Sequence, residues 1–278
     1  MCRLYGFRAN APTKVECGLV LAQNSLLAQS RSDSRGTTHA DGWGIATFPN
    51  GLPKVVRRGV AAFEGLHFST TAERVYARTV VAHVRNATVG GRRRENTHPF
   101  CYGRWIFAHN GTVREFEAVR SRLEQGTPEP FRLLRRGSSD SEAAFCWLLA
   151  RMHSAGIDLD SSACDLDLLA DLVADSIPRI EEFCRAEGAD VPSRLNWILT
   201  NGSLMIATRW NNDLHLLVRR GVHDCEICGI PHIEDAPRED YRAVVVASEP
   251  ISQEEWRDVP ERSLVLIDRT VGVRVRPL

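Results

Sequence analysis

Met1-Cys2-Arg3-Leu4-Tyr5-Gly6-Phe7 opens the chain, and the reading of the fold turns on the cysteine in second place. The small side chain at that position permits removal of the initiator methionine. Cys2 would then carry both a thiol nucleophile and a free α-amine. Such an amine titrates at about 7.7–8.0, close to working pH, so it can shuttle the proton of its own thiol. A residue of this kind attacks an amide carbonyl with no separate histidine. Taken alone, the position also fits an ordinary cysteine that begins a strand. Loss of Met1 is therefore an expectation on which the chemistry depends. The same heptapeptide lacks the long apolar core of a secretory leader.

Outward from Cys2, three segments supply what an amide-cleaving thiol needs. Val80-Val81-Ala82 is apolar on both faces, as a central strand would be, and His83-Val84-Arg85-Asn86-Ala87-Thr88 sets Arg85 just past its end. A planar guanidinium at a sheet rim can grip a carboxylate with two parallel donors. Residues 104–108 read as another strand, followed by Ala108-His109-Asn110-Gly111. Gly111 is expected to turn the chain with positive φ and to point a backbone N–H into a cleft beside the Asn110 amide. Two such donors make an oxyanion hole. Ser138-Ser139-Asp140-Ser141-Glu142 carries a helix-capping signature. Asp140 is then part of a cap, an acceptor for a substrate ammonium group, or both.

The rest of the chain supplies the scaffold. Strands are expected over 42–48 and 54–58, around the turn Pro49-Asn50-Gly51-Leu52-Pro53, and over 78–84. Residues 196–200 and 203–208 flank Asn201-Gly202, a hairpin signal, and 214–218, 243–247, 263–267 and 271–275 complete the set. Helical spacing appears in Phe116, Val119 and Leu123, in Phe145, Leu148, Leu149 and Met152, and over 165–183, where Pro178 is expected to kink or divide the segment. Strands, then a helical block, then strands again imply an α+β fold of sheets covered by helices, not a β-α-β repeat. No stretch resembles a flexible linker, so residues 2–278 are expected to form a single domain.

Composition narrows the class. The chain has 278 residues with 35 Lys+Arg against 35 Asp+Glu, and this neutral balance argues against a dedicated nucleic-acid binder. Hydrophobic residues make up 43% and charged residues 25%, which excludes a disordered or collagen-like chain. No apolar run is long enough for a membrane span, and the chain reads as cytoplasmic. In a reducing compartment the cysteines should be small buried hydrophobes, and Cys17, Cys101, Cys146, Cys164 and Cys184 are read as packing. His223-x-Cys225-Glu226-Ile227-Cys228-x-x-x-His232 is a compact set that suits zinc, a redox pair or a plain structural turn. The turn is favoured, so neither metal nor cofactor is assigned. Arg92-Arg93-Arg94 reads as a solvated face or a lip that draws in anionic substrates. Trp43, between Gly42 and Gly44, either lines a substrate loop or packs in the core. His39 and His83 read as structural.

Together these residues carry a resemblance. Cys2, Ala40-Asp41-Gly42-Trp43-Gly44, His83-Val84-Arg85-Asn86-Ala87-Thr88, Glu95-Asn96-Thr97-His98-Pro99-Phe100, His109-Asn110-Gly111 and Ser139-Asp140-Ser141-Glu142 occur in the order and approximate spacing of class II glutamine amidotransferases. Ala247-Ser248-Glu249-Pro250 extends the likeness outside the site. The chain most resembles the stand-alone YafJ-like branch, which is related to γ-glutamyl hydrolases of ergothioneine and glutathione metabolism. The resemblance implies a four-layer α/β/β/α sandwich of the N-terminal-nucleophile hydrolase type. It also implies Cys2 as nucleophile, Arg85 on the α-carboxylate of glutamine, Asp140 on the α-ammonium, and Asn110 with Gly111 as oxyanion hole. His98 matches a position near the substrate pocket. The implied reaction is hydrolysis of the γ-amide of glutamine, or of a γ-glutamyl-linked small molecule, through a thioester on Cys2, with no metal required. The strands and helices of such a sandwich take up nearly the whole chain, which favours a free-standing amidohydrolase over a glutaminase serving a separate synthase partner. A non-catalytic glutamine or γ-glutamyl sensor would need only Arg85 and Asp140.

Overall fold

A computed structural model describes residues 2–222, 224–233 and 239–278; Met1 and His223, both named above, lie outside them. In chain order the strands and helices are β1 (Arg3–Lys14), α1 (Leu26–Arg31), β2 (Trp43–Thr47), β3 (Lys54–Arg58), α2 (His67–Glu73), β4 (Tyr76–Val84), β5 (Phe100–Tyr102) and β6 (Trp105–Thr112). They continue with α3 (Phe116–Gln125), α4 (Glu129–Arg132), α5 (Asp140–Ser154), α6 (Leu166–Ala186), β7 (Arg194–Thr200), β8 (Met205–Arg209), β9 (His215–Arg220), β10 (Arg242–Ala247), β11 (Arg257–Asp258), β12 (Ser263–Ile267) and β13 (Val273–Pro277). One sheet has seven strands in the order β11-β9-β10-β1-β4-β2-β3, and the other has six in the order β13-β12-β8-β7-β6-β5. Every strand pairing is antiparallel.

Strand alternation explains the layering. On the inner faces Leu4, Val81, Val244 and Val246 meet Ile106, Ala108, Ile198 and Val265 in a core between the two sheets. Odd-numbered Tyr5, Phe7 and Ala9 of β1, with Val80 and Ala82 of β4, face the other way and pack with Leu26 and Phe68 of α1 and α2. Across the molecule Leu195, Trp197 and Leu199 of β7 turn outward onto α3, α5 and α6, where Val119, Leu148 and Val173 complete the third core. The result is the four-layer α/β/β/α sandwich.

Several boundaries differ from the sequence expectation. The central strand β1 carries Gly6, Arg8 and Asn10 on its inner-facing side, which hides its pattern. Gly6 leaves room there for Ile198, whose Cδ1 would stand 2.8 Å from a Cβ. The expected glycine turn after residue 108 is absent: β6 continues through Gly111, paired with Leu195, to Thr112, paired with Arg194. Gly111 is not among the positive-φ residues. Its constraint is space, since a Cβ would lie 1.8 Å from the Arg194 carbonyl oxygen. Pro178 does not divide α6, which runs unbroken from Leu166 to Ala186. One buried stripe of Leu169, Val173, Ile177, Ile180 and Cys184 continues past it, and this packing outweighs the missing N–H donor. Among the described residues, no helix is long and apolar enough to cross a membrane.

Candidate active site

The register of the seven-stranded sheet builds the site. Arg3, first residue of β1, pairs with Val84, last residue of β4, so Cys2 and the Arg85-Asn86 segment emerge side by side at one rim. Cys2 Sγ accepts the Asn86 N–H at 3.4 Å and lies 3.4 Å from the Asn86 carbonyl oxygen. The residue is only 6% exposed. Burial pushes the thiol pKa up; the Asn86 contact and the Arg85 charge pull it down, and Asp140 raises it again.

Arg85 continues the ladder beyond β4. Its N–H donates to the Gly42 carbonyl at 2.8 Å, and its own carbonyl accepts from Asp41 at 2.9 Å. The buried guanidinium donates to the carbonyls of Val89 (2.7 Å), Gly90 (3.0 Å) and Gly91 (3.0 Å). Burial lowers its pKa, while Cys2, Asp41 and Asp140 oppose that shift. Asn96 ties this loop to the head of α5: its Nδ2 donates to Gly91 O at 3.0 Å and its Oδ1 accepts from Ser138 N at 2.8 Å.

Asp140 is held by two backbone N–H groups. Ser139 caps α5 by accepting the Glu142 N–H at 3.2 Å, and Asp140 sits in the first turn. Asp140 Oδ2 accepts from Val113 N at 2.8 Å, just past β6, and Oδ1 accepts from Ser141 N at 2.9 Å. Its carboxylate is thus fixed between helix α5 and strand β6.

Asn110 lies in β6 opposite Asn196 and is fully buried. Its Nδ2 donates to Ser248 Oγ at 3.0 Å, and its Oδ1 has no hydrogen-bond partner. The same Ser248 hydroxyl accepts the Leu4 N–H at 2.9 Å, and Ser248 N donates back to Leu4 O at 3.1 Å. Ser248 therefore joins the oxyanion candidate to the strand that follows the candidate nucleophile. A cavity of about 340 Å³ reaches Asn110, Ser248, Arg3 and Asn212.

Arg3 is a further residue that sequence reasoning missed. It is buried, donates to Cys2 O at 3.0 Å, and pairs with Asp33 and, at 2.8 Å, with Glu249. His39 Nε2 lies 3.0 Å from the same Asp33 carboxylate. Burial first and Arg3 second push the His39 pKa down to about 4. Burial works against Asp33 and Glu249, yet N–H and hydroxyl donors together with Arg3 hold both below the usual carboxylate range. An arginine directly after the candidate nucleophile was the available signal.

His98 packs against His83 at a tilt, with ring centroids 4.2 Å apart, and edge-on to Phe100, and neither ring nitrogen has a partner. Burial drives its pKa well below the ordinary value, with neighbouring histidines and Arg85 adding to the shift, so the ring is neutral. Trp43 packs edge-to-face on Phe68, ring centroids 5.3 Å apart, in the outer core; of its two readings, the structure places the side chain in packing. Cys225, Cys228 and His232 are brought together elsewhere, on the outer side of the sheet, and are joined by Cys17, which sequence reasoning assigned to packing alone.

The family model for class II glutamine amidotransferases matches residues 1–275. The probable glutamine amidotransferase DUG3 of Saccharomyces cerevisiae is 28% identical over 97% of this chain and 82% of its own. The gamma-glutamyl-hercynylcysteine sulfoxide hydrolase of Mycobacterium tuberculosis is 28% identical over 95% of this chain and 92% of its own. In fold, a glutamine aminotransferase class-II domain protein from Silicibacter pomeroyi superposes with a TM-score of 0.66 at 20% identity, covering 100% of this chain and 98% of that one.

Proposed function

From a chain that belongs to the class II glutamine amidotransferase family, an enzyme family, we propose a cysteine-dependent hydrolase that acts on the γ-amide of glutamine or of a γ-glutamyl-linked small molecule. The observation that carries this reading is the register of β1 against β4, which seats Cys2 beside Asn86 and Arg85 at one sheet rim. The γ-glutamyl class of substrate draws on the name of the M. tuberculosis relative.

In the proposed reaction, Arg85 exchanges its loop carbonyls for the substrate α-carboxylate, and Asp140 accepts from the α-ammonium. Cys2 Sγ attacks the γ-carbonyl carbon as its proton passes to the α-amine freed by loss of Met1. Gly111 N–H and Asn110 Nδ2 hold the oxyanion. For Asn110 the amide turns over about its Cβ–Cγ bond: the Ser248 hydroxyl then donates to Oδ1 and Nδ2 takes the place of the unpartnered oxygen. Collapse breaks the C–N bond, and the amine carries the proton to the leaving ammonia or amine. Water then cleaves the γ-glutamyl thioester, releasing the γ-carboxyl and restoring the thiol.

Intact-mass spectrometry tests this before and after reaction with a diazo-ketone analogue of glutamine. The expected result is a chain without Met1 that gains one adduct on Cys2. An active protein that keeps Met1 would defeat the amine shuttle. Ammonia release from glutamine by Cys2→Ala would defeat the nucleophile assignment. A panel of γ-glutamyl amides then ranks substrates by kcat/KM.

A further inference from the structure

Four ligand-type side chains converge on the outer side of the seven-stranded sheet. Cys17 begins the single π-helical turn Cys17–Leu21 that follows β1. It meets Cys225, Cys228 and His232 of the β9–β10 connection, and one ligand atom from each lies within 4.8 Å of all the others. Cys228 Sγ is 3.3 Å from His232 Nε2. A tetrahedral zinc ion, with Zn–S of about 2.3 Å and Zn–N of about 2.0 Å, sets its ligand atoms about 3.5–3.8 Å apart. Closing the observed cluster onto such an ion takes movements of about 1 Å, within side-chain reach.

The backbone is already shaped for it. In Cys225-Glu226-Ile227-Cys228-Gly229 the Ile227 N–H points at Cys225 Sγ at 3.4 Å. Gly229 N donates to Cys225 O at 2.8 Å, and Cys225 N donates to Ile230 O at 3.1 Å. Gly229 takes the left-handed φ of 72° that closes such a turn. The turn is also fixed from outside: Lys14 N donates to His232 O at 2.9 Å, and Gln253 N donates to Glu226 Oε1 at 2.8 Å. Among the described residues, 221–241 contain no helix or strand; Val222 and Tyr241 at the two ends and Ile227 and Ile233 between them pack on the outer core. A connection that long in a compact domain calls for an additional tie.

We propose that Cys17, Cys225, Cys228 and His232 form a structural zinc site of the Cys3His type. Three soft thiolates and one imidazole select zinc over magnesium or calcium, and four protein ligands leave no open position for catalysis. Binding releases the thiol protons to solvent and fastens the β9–β10 connection to the segment after β1. A redox pair at Cys225 and Cys228 alone would leave the convergence of Cys17 and His232 without a purpose.

Metal analysis of the full chain, produced with Zn²⁺ in the medium and passed through gel filtration, tests the assignment. The expected result is one zinc per chain, released by a mercurial thiol reagent. Replacement by Co²⁺ should give the intense visible bands of a tetrahedral thiolate complex. Cys228→Ser and Cys17→Ser should each lower zinc to background, whereas Cys2→Ala should retain it. Metal-free wild-type protein that takes up neither Zn²⁺ nor Co²⁺ would overturn the site. So would stoichiometric iron, a Cys225–Cys228 disulfide in the freshly isolated chain, or full zinc in the Cys17→Ser/Cys228→Ser double variant. If the serine variants do not fold, the cobalt spectrum of the wild type decides.

Discussion

Removing the Ser248 hydroxyl should slow the chemical step by acting through Asn110. Ser248 Oγ bonds Asn110 Nδ2 at 3.0 Å and Leu4 N at 2.9 Å, and Asn110 Oδ1 is otherwise unpartnered. Asn110→Ala deletes the proposed oxyanion donor, for which the expected cost in kcat is about 10²–10³-fold. Ser248→Ala leaves the donor in place and removes one buried hydrogen bond that orients it, worth about 1 kcal/mol, or roughly fivefold in aligned amide. The expected fall in kcat is therefore about three- to tenfold, with KM nearly unchanged, because the oxyanion exists only along the reaction path.

The pair makes a double-mutant cycle read by steady-state ammonia release. Once Asn110 is gone, Ser248 has no amide to align. The double variant should then match Asn110→Ala within about twofold, a coupling of about 1 kcal/mol. Ser248→Ala also strands the Leu4 N–H and should destabilise the fold by about 1–3 kcal/mol in urea unfolding. Multiplicative losses in kcat, or a Ser248→Ala defect confined to KM, would refute the alignment role.

Arg85→Lys should raise KM for glutamine by about tenfold or more while the fold persists, since an ammonium cannot reproduce the two-pronged grip on a carboxylate; unchanged KM would move the carboxylate site elsewhere. Acid should weaken the fold: His39 is held down to about 4 against 6.5 when free, so the unfolded chain takes the proton first as pH falls below 6.5. His39 stability is thus complete above that pH and is lost on the way down, by about 2 kcal/mol between pH 7 and pH 5. His83, His98 and His109 shift in the same direction, so a urea midpoint that is flat over this range would contradict the neutral histidine cluster. Gly44→Ala should lower the thermal midpoint sharply, because a Cβ there would stand 2.2 Å from the His98 backbone oxygen, and overpacking against backbone costs about 1–3 kcal/mol or more. A midpoint equal to wild type would show that the approach can relax.

What the sequence discloses depends on whether a signal is local. β4 is legible because both its faces are apolar, and the β7–β8 hairpin because Asn201-Gly202 marks its turn, with Gly202 at φ 87°. β1, the centre of its sheet, is not legible. Its inner face carries Gly6, which gives Ile198 room, and Arg8, whose guanidinium reaches Ser203 O at 3.0 Å and Arg269 O at 3.2 Å beyond the core. Gly111 shows a second limit. A glycine needed for positive φ and one needed for close backbone approach look alike in sequence, and Gly111 is of the second kind. Cys2, Arg85, Asn110 and Asp140 announce themselves as residue types suited to amide chemistry. Arg3, Asn96 and Ser248 act through partners that only the folded sheets bring near, and so does Cys17 in the cysteine–histidine cluster.

Burial leaves Cys2 without a standing source of thiolate. Its pKa is raised chiefly by burial; the Asn86 contact and the Arg85 charge work against that shift, and Asp140 adds the smallest contribution. The buried histidines make poor bases: His39, His83, His98 and His109 are all shifted down by burial. His109 is further occupied by Ser141 Oγ at 2.9 Å and Arg194 O at 2.8 Å, and His83 by His109 O at 3.2 Å. The base proposed for the thiol comes with the nucleophile itself: the α-amine of a processed Cys2 titrates at about neutral pH. With Met1 attached, the same nitrogen is an amide and accepts no proton. On this reading the rim at Cys2 holds its thiol neutral and idle until the first peptide bond is cut, and initiator removal is what turns a folded binding site into a catalyst.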